Sequence, residues 1–443
     1  MQDLSFKKII DHLQTYPELK YHLVYSEWQS DFLRFYQSQT NYNISKDNKS
    51  ISLTLYQGKR SFGFNLDAPD TDGVLKSINQ AMNIIGQLPE DPDFEDIEND
   101  LQKSNELKKT NNIESIDLEK KVGILKSISS MTEIHGFDIF GTFICNYHYT
   151  RVMNSNGIDK QQWNSPVYFE VKAVSKVNQV TVLHTFGGED FTKYNQDDFI
   201  SQLEQKILFA CNPVTDIEPG EYDVILAPRC VAELMQYLCG GMSARSYDQK
   251  SSFFQDKLGQ KVFPENITIS DSPSDSDLIR YDYNQDGHIY QPLTLVKEGV
   301  FKAFMSSCYY AHKTGLPKNG NTGDCLILHN GDATLESMTA SIEKGLYISS
   351  LHYMNYINEK ETSVTGLTRD GTFLIEHGKI TQVVNNLRFT EKLSRIFENI
   401  VDLESSGHTV PFSDNYEFFE ISSAKAPHVL VKLFNITSST HTI

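Results

Sequence analysis

Apolar and polar positions alternate along this chain with two periods, and the period changes mark its elements. Leu4, Ile9, Ile10 and Leu13 share one helical face over residues 3–15. Alternating strand-like runs follow at 21–25, 32–36, 51–56 and 61–66, with Gln57-Gly58-Lys59 turning the last pair as a hairpin. Val74, Leu75, Ile78, Met82 and Ile85 return to helical spacing, as do Leu118, Val122, Leu125 and Ile128. Strands are expected at 137–149, 166–175 and 179–186, with a turn at Asn154-Ser155-Asn156-Gly157. Phe199, Leu203 and Ile207 predict one more helix before the Pro213–Gly220 boundary.

After that boundary, 222–227 reads as a strand and Pro228 opens a helix, where its missing N–H costs nothing. Val231, Leu234, Met235 and Leu238 face inward, and Gly240-Gly241 ends the helix. Short strands at 267–270, 293–296, 301–305 and 325–328 imply mainly antiparallel pairing. A helix carrying Leu335, Met338 and Ile342 precedes a strand at 346–351. The densest strand-and-turn pattern is 365–389. There 373–375 forms a strand, His377-Gly378 turns it, 380–384 returns, and 385–389 leads into a helix with Leu393, Ile396, Phe397 and Ile400. Residues 428–434 supply a last strand. The expected class is α+β: a small α/β N-terminal region (1–90), an acidic linker (91–110), a central helix–strand region (111–215) and a mainly antiparallel β C-terminal domain (221–443). The linker, DPDFEDIEND at its start, has too little apolar content to pack and reads as solvated.

Composition narrows the function. A chain of 443 residues with 39% hydrophobic residues is folded and exceeds one small core. A net charge of −18 without basic clusters argues against direct nucleic-acid binding. No run approaches the ~18 apolar residues of a membrane span, and the N-terminus lacks the apolar core of a signal peptide. Six scattered cysteines read as reduced thiols, so a cytoplasmic location is expected.

Local motifs are sparse. Asp282 to Gly287 copies the first half of a calcium loop, but its twelfth position is Leu293 where a bidentate Glu is needed, so a polar turn is expected. Walker loops, G-x-S-x-G and G-x-G-x-x-G are absent. The 13 histidines never pair at H-x-x-x-H spacing, so a zinc site would have to be assembled from distant His, Cys and Asp. No catalytic set and no metal ligands are assigned. Thr368-Arg369-Asp370-Gly371 reads as a tight polar connection, either turn chemistry or a working surface. Thr368, Arg369, Asp370 and Arg388 are the candidate binding residues, the arginines suited to a carboxylate.

The run TGLTRDGTFLIEHGKI followed by VVNNLRF resembles the C-terminal domain of the TldD/PmbA family, known as modulators of DNA gyrase and as metallopeptidases. VMNSNGI, FFQDKLGQKVF, YDYNQDG, LVKEGVFKAFM, LILHNGDATLESMTASIEKGLYIS and APHVLVKLFNITS extend the resemblance in family order. The resemblance implies two subunit types. In the TldD-like type, HExxxH lies on the helix after the first strand of the C-terminal domain, and its two imidazoles hold zinc. The corresponding helix here is PRCVAELMQYLCGG. It has no histidine, none occurs between His184 and His288, and the last cysteine is Cys325. The chain thus resembles the PmbA/TldE-like type. Three readings stay open. The first is a subunit without its own cofactor that binds extended peptide beside a TldD-like, zinc-supplying partner. The second is a self-sufficient peptidase using His352, His377 and Asp370. The third is a homodimeric binding or adaptor protein.

Overall fold

The computed structural model describes residues 4–104, 111–414 and 419–439. The N-terminal and central regions build one antiparallel sheet of seven strands. Its order is Arg60–Asp67, Gln39–Gln57, Leu19–Tyr36, Phe137–Asn154, Val167–Ser175 and Thr181–Gly188, with Asp159–Asn164 also paired to Phe137–Asn154. The runs expected at 21–25 and 32–36 are parts of one 18-residue strand. The polar residues between them do not break it, because Ser26, Trp28 and Ser30 all point to the face opposite the helices. The helices Phe6–Leu13 and Thr71–Ile85 cover the hydrophobic face at one end, around Leu23, Leu53 and Ile78. Leu118–Ile134 and Gln196–Ala210 cover it at the other, around Phe143, Phe169 and Leu203.

The C-terminal region contains two more sheets. One runs Lys344–Asn358, Gly220–Leu226, Val429–Ser439, Leu387–Lys392, Ser363–Glu376, Lys379–Val384 and Val214–Thr215, with Ile400–Leu403 on Val429–Ser439. Lys344–Asn358 also pairs with Ser363–Glu376, so the sheet closes on itself. The other runs Val300–Phe301, Leu293–Lys297, Ile269–Asp271, Leu326–Leu328, Ile421–Ala426 and His408–Ser413. Most ladders are antiparallel, but Ile327 with Lys425 and Leu346 with Val224 pair in parallel. The Pro228–Gly240 helix lies in the core between these two sheets, burying Val231, Leu234, Met235 and Leu238 among residues such as Leu226, Leu328, Ile348 and Ala424. The architecture is α+β.

Three local expectations need correction. Residues 368–371 do not connect strands; they lie inside the 14-residue strand Ser363–Glu376, where the register slips opposite Ile348 and Ser350. Asp370 (φ +53°) and Gly371 (φ +116°) supply the unusual backbone of this bulge. Likewise, 385–389 leads into the strand Leu387–Lys392 before the helix Leu393–Glu398 begins. The acidic run after residue 90 is not solvated. Ile97 and Glu98 are buried, Phe94 stacks on Tyr56 at 4.8 Å, Asp91 accepts from Tyr309 Oη (3.0 Å) and Asp93 pairs with Lys313 (3.2 Å). Apolar content alone did not predict this, because its acids find basic and hydroxyl partners on both flanking regions. Residues 105–110 of the expected linker lie outside the described residues. Among the described residues no helix is long and apolar enough to cross a membrane.

Candidate substrate cleft

The polar face of the seven-stranded sheet is not covered by helices, and it floors a cleft of about 720 Å³. Register explains the floor. Ser50, Ser26, Thr150 and Gln162 form one rung across four strands, and Asn48, Trp28, His148 and Asn164 form the next. Every second residue of each strand therefore brings a hydroxyl, amide or ring to one surface. The opposite wall comes from the C-terminal region: Ile279, Tyr281 and Tyr283, then Tyr290 and Asp324, and the Phe412–Asp414 and Glu420–Ser422 segments. The calcium-like run is a turn, as expected: Asn284 Oδ1 accepts from the Asp286 and His288 amides, and Tyr283 bridges to Ile289.

The floor offers neutral hydrogen-bonding groups, while Asp324, Asp414 and Glu420 make the opposite wall acidic. Asn146 donates through Nδ2 to the Phe419 carbonyl (2.6 Å), while its Oδ1 has no hydrogen-bond partner among the described residues although the residue is buried, and neither does Ser413 Oγ. A buried acceptor without a donor costs about 1–3 kcal/mol, which a ligand N–H would recover. Burial pushes the His148 imidazole below its usual range, so it is uncharged near neutral pH; its Nε2 lies 3.4 Å from Thr150 Oγ1.

One wall of the cleft is backed by the Pro228–Gly240 helix through Phe412. The Arg229 guanidinium lies 5.2 Å from the centre of the Phe412 ring, which lines the cleft, and donates to the Pro411 carbonyl (3.2 Å). Tyr168 beside it donates to Glu170 (2.5 Å). Although burial opposes its charge, the neighbouring Tyr168, Glu170 and Glu233 raise the pKa of Arg229 further. Glu233, one turn on, is pushed up to about 7 by burial, against the pull of Arg229. Cys230 points away and donates to the Ile348 carbonyl (3.3 Å), and burial raises its thiol well above the usual range. These side chains do not fit a zinc ion. A guanidinium stands at the helix start, the thiol is buried and protonated, and a single carboxylate that holds its proton to about pH 7 remains.

The sequence-assigned binding residues divide sharply. Thr368 is wholly buried and accepts from the Leu387 amide (3.0 Å) and Thr372 Oγ1 (2.8 Å). Asp370 accepts from Thr181 Oγ1 (2.7 Å) and pairs with Lys172 (3.0 Å), joining the two large sheets. Arg369 lines a separate recess of about 230 Å³ together with Asp370, Asn385 and Asn386. Arg388 is exposed, on the neighbouring strand, with Nη1 3.4 Å from Thr365 Oγ1. None of the four lines the main cleft. His352 is close enough to Arg369 to feel its charge, but burial is the larger cause of its lowered pKa. His377 sits at the far hairpin turn, paired with Glu343 (2.5 Å) on the surface. His377 is seven strand steps from Asp370, about 23 Å at the usual rise, so His352, His377 and Asp370 do not converge. The cleft residues went unnoticed in the sequence. Their signal was the repeated alternation of amides and hydroxyls in Ser26-x-Trp28-x-Ser30, Asn146-x-His148-x-Thr150 and Gln162-x-Asn164.

A C-terminal unit of two sheets around a buried helix is set against a large sheet whose polar face floors the cleft. Residues 219–438 match the model of the PmbA/TldA metallopeptidase C-terminal domain. The chain is 29% identical over 161 residues to the metalloprotease PmbA homologue of Buchnera aphidicola, 35% of each chain. It is 24% identical to the zinc metalloprotease TldD homologue of Saccharolobus solfataricus, over 69% of this chain and 74% of that one. The matched stretches span only 35 to 40% of the length of the PmbA relatives. The crystal structure of TldE from Thermococcus kodakarensis shares the fold over 98% of this chain and 99% of that one, with a TM-score of 0.84 at 17% identity. The chain belongs to the TldD/PmbA family.

Proposed function

We propose that this chain is a PmbA/TldE-like subunit that holds an extended peptide for a TldD-like partner, whose HExxxH helix supplies the zinc and the hydrolytic step. The observation that carries this reading is the Pro228–Gly240 helix, which carries Arg229 and Glu233 but no histidine. Arg229 instead lies behind Phe412, a cleft-lining ring, where a guanidinium could reach a peptide carbonyl or carboxylate once that ring shifts.

The cleft supports the same reading. Its two rungs of hydroxyls and amides match the regularly spaced N–H and C=O groups of an extended chain. The outer edge of Gln39–Gln57 is unpaired before Ser50 by any described strand, next to Asn48 on the cleft floor. A peptide laid there would gain main-chain hydrogen bonds as well as side-chain contacts. The test is co-purification with a TldD-like chain, together with peptide binding. Co-elution, and unstructured-peptide binding weakened by Asn146→Leu with Gln162→Leu, are expected. Chains that never co-elute, or binding indifferent to both substitutions, would sink the proposal.

A further inference from the structure

Glu404, His408 and His428 come together from three points of the C-terminal region, and their ligand atoms all lie within 4.8 Å of one another. Glu404 follows the strand Ile400–Leu403, His408 begins His408–Ser413, and His428 sits just before Val429–Ser439. The Glu404 Oε2 atom is 2.9 Å from His408 Nε2 and 2.7 Å from His428 Nδ1. The backbone fixes two of the three: the Glu404 amide donates to the His428 carbonyl (2.9 Å), and the Gly331 amide donates to the Glu404 carbonyl (3.0 Å).

We propose that Glu404, His408 and His428 form a binding site for a divalent first-row transition metal, unrelated to the Pro228–Gly240 helix. Two imidazoles and one carboxylate are a borderline donor set that suits Zn²⁺ or Co²⁺ and discriminates against Mg²⁺ and Ca²⁺. His408 is exposed, so at least one coordination position faces solvent. Beyond the ligands, Tyr347 Oη lies 3.1 Å from His428 Nε2. Without metal, His428 Nδ1–H donates to Glu404 and Nε2 accepts from Tyr347. Metal would replace the Nδ1 proton, and Nε2–H would then donate to Tyr347 Oη, which holds the ring in the ligating tautomer.

The site pins the end of one C-terminal sheet to the start of a strand in the other, so metal binding would also raise stability.

The test is calorimetric titration of the EDTA-treated full chain with Zn²⁺ alone. Cys211→Ser serves as background throughout, because Cys211 is the exposed thiol. One equivalent is expected, with Co²⁺ giving a visible d–d absorption band at the same stoichiometry. His408→Ala, at an exposed position, should abolish that equivalent, as should Glu404→Gln, while Tyr347→Phe should weaken it roughly tenfold. No binding at one equivalent, or an equivalent that survives His408→Ala, overturns the site. Because the readout is metal stoichiometry, it stands or falls separately from any pairing with a peptidase subunit.

Discussion

Asp370, which reads as a working surface in the sequence, makes contacts across the junction of two sheets that predict a stability cost when it is removed. Its side chain accepts one hydrogen bond from Thr181 and one charge-assisted contact from Lys172, across the junction of two sheets. Its side chain is 7% exposed and that of Lys172 is 27% exposed, so solvent cannot fully replace the pair. Removing the carboxylate by Asp370→Ala costs about 2 kcal/mol in lost charge-assisted bonding. Alanine in the left-handed backbone at φ +53° adds about 1 kcal/mol, for a total near 3 kcal/mol. Asp370→Asn keeps the left-handed tolerance and one hydrogen bond, so about 1 kcal/mol is expected. Arg369→Ala, next along the chain but facing a shallow recess, should stay within about 0.5 kcal/mol. Urea unfolding of the three variants, with m compared to the parent, measures the series. A loss below about 0.5 kcal/mol for Asp370→Ala, or above about 2 for Arg369→Ala, would refute the assignment.

Glu233 gives a pH signature. Its folded pKa of about 7 lies above the unfolded value of 4.5, so the native state binds the extra proton between those values. Stability should therefore fall as pH rises through that window, by up to about 3 kcal/mol from this group. Glu233→Gln should flatten that fall, and an unchanged pH profile would contradict it. The acidic segment after residue 90 rests on Glu98, which Lys318 holds at 2.7 Å and His288 at 3.4 Å. Lys318→Met leaves a buried carboxylate underpaired and should open the segment to limited proteolysis between residues 91 and 104. Cleavage no faster than in the parent would show that Glu98 does not anchor it.

Long periodic segments were legible from the chain itself. The Pro228–Gly240 helix, with proline at its start and Gly240-Gly241 at its end, and the His377-Gly378 turn (φ +49° and +74°) formed where local chemistry required them. What escaped depended on partners distant in sequence. The strand Asp159–Asn164 carries mostly polar residues and reads as a loop until its pairing with Phe137–Asn154 places Gln162 and Asn164 in the cleft floor. The bulge at Asp370 looked like a turn because its positive φ and its glycine are turn chemistry used inside a strand. The cluster of Glu404, His408 and His428 spans 25 residues of chain, and it forms only because Leu403 pairs with Val429 and His408 with Ala426. The absence of histidine from the Pro228–Gly240 helix was plain from the sequence. What replaces it, a guanidinium beside a cleft aromatic, needed the fold.

The central claim is that this chain contributes peptide binding and its TldD-like partner contributes hydrolysis. It is tested most directly by titrating a purified HExxxH-bearing TldD-like subunit with this chain and following cleavage of an unstructured peptide. This chain alone should cleave negligibly, the activity should rise and saturate at one chain per partner, and that rise should be lost when Asn146→Leu and Gln162→Leu are combined. Full cleavage by this chain alone, or a partner whose activity ignores its addition, would contradict it.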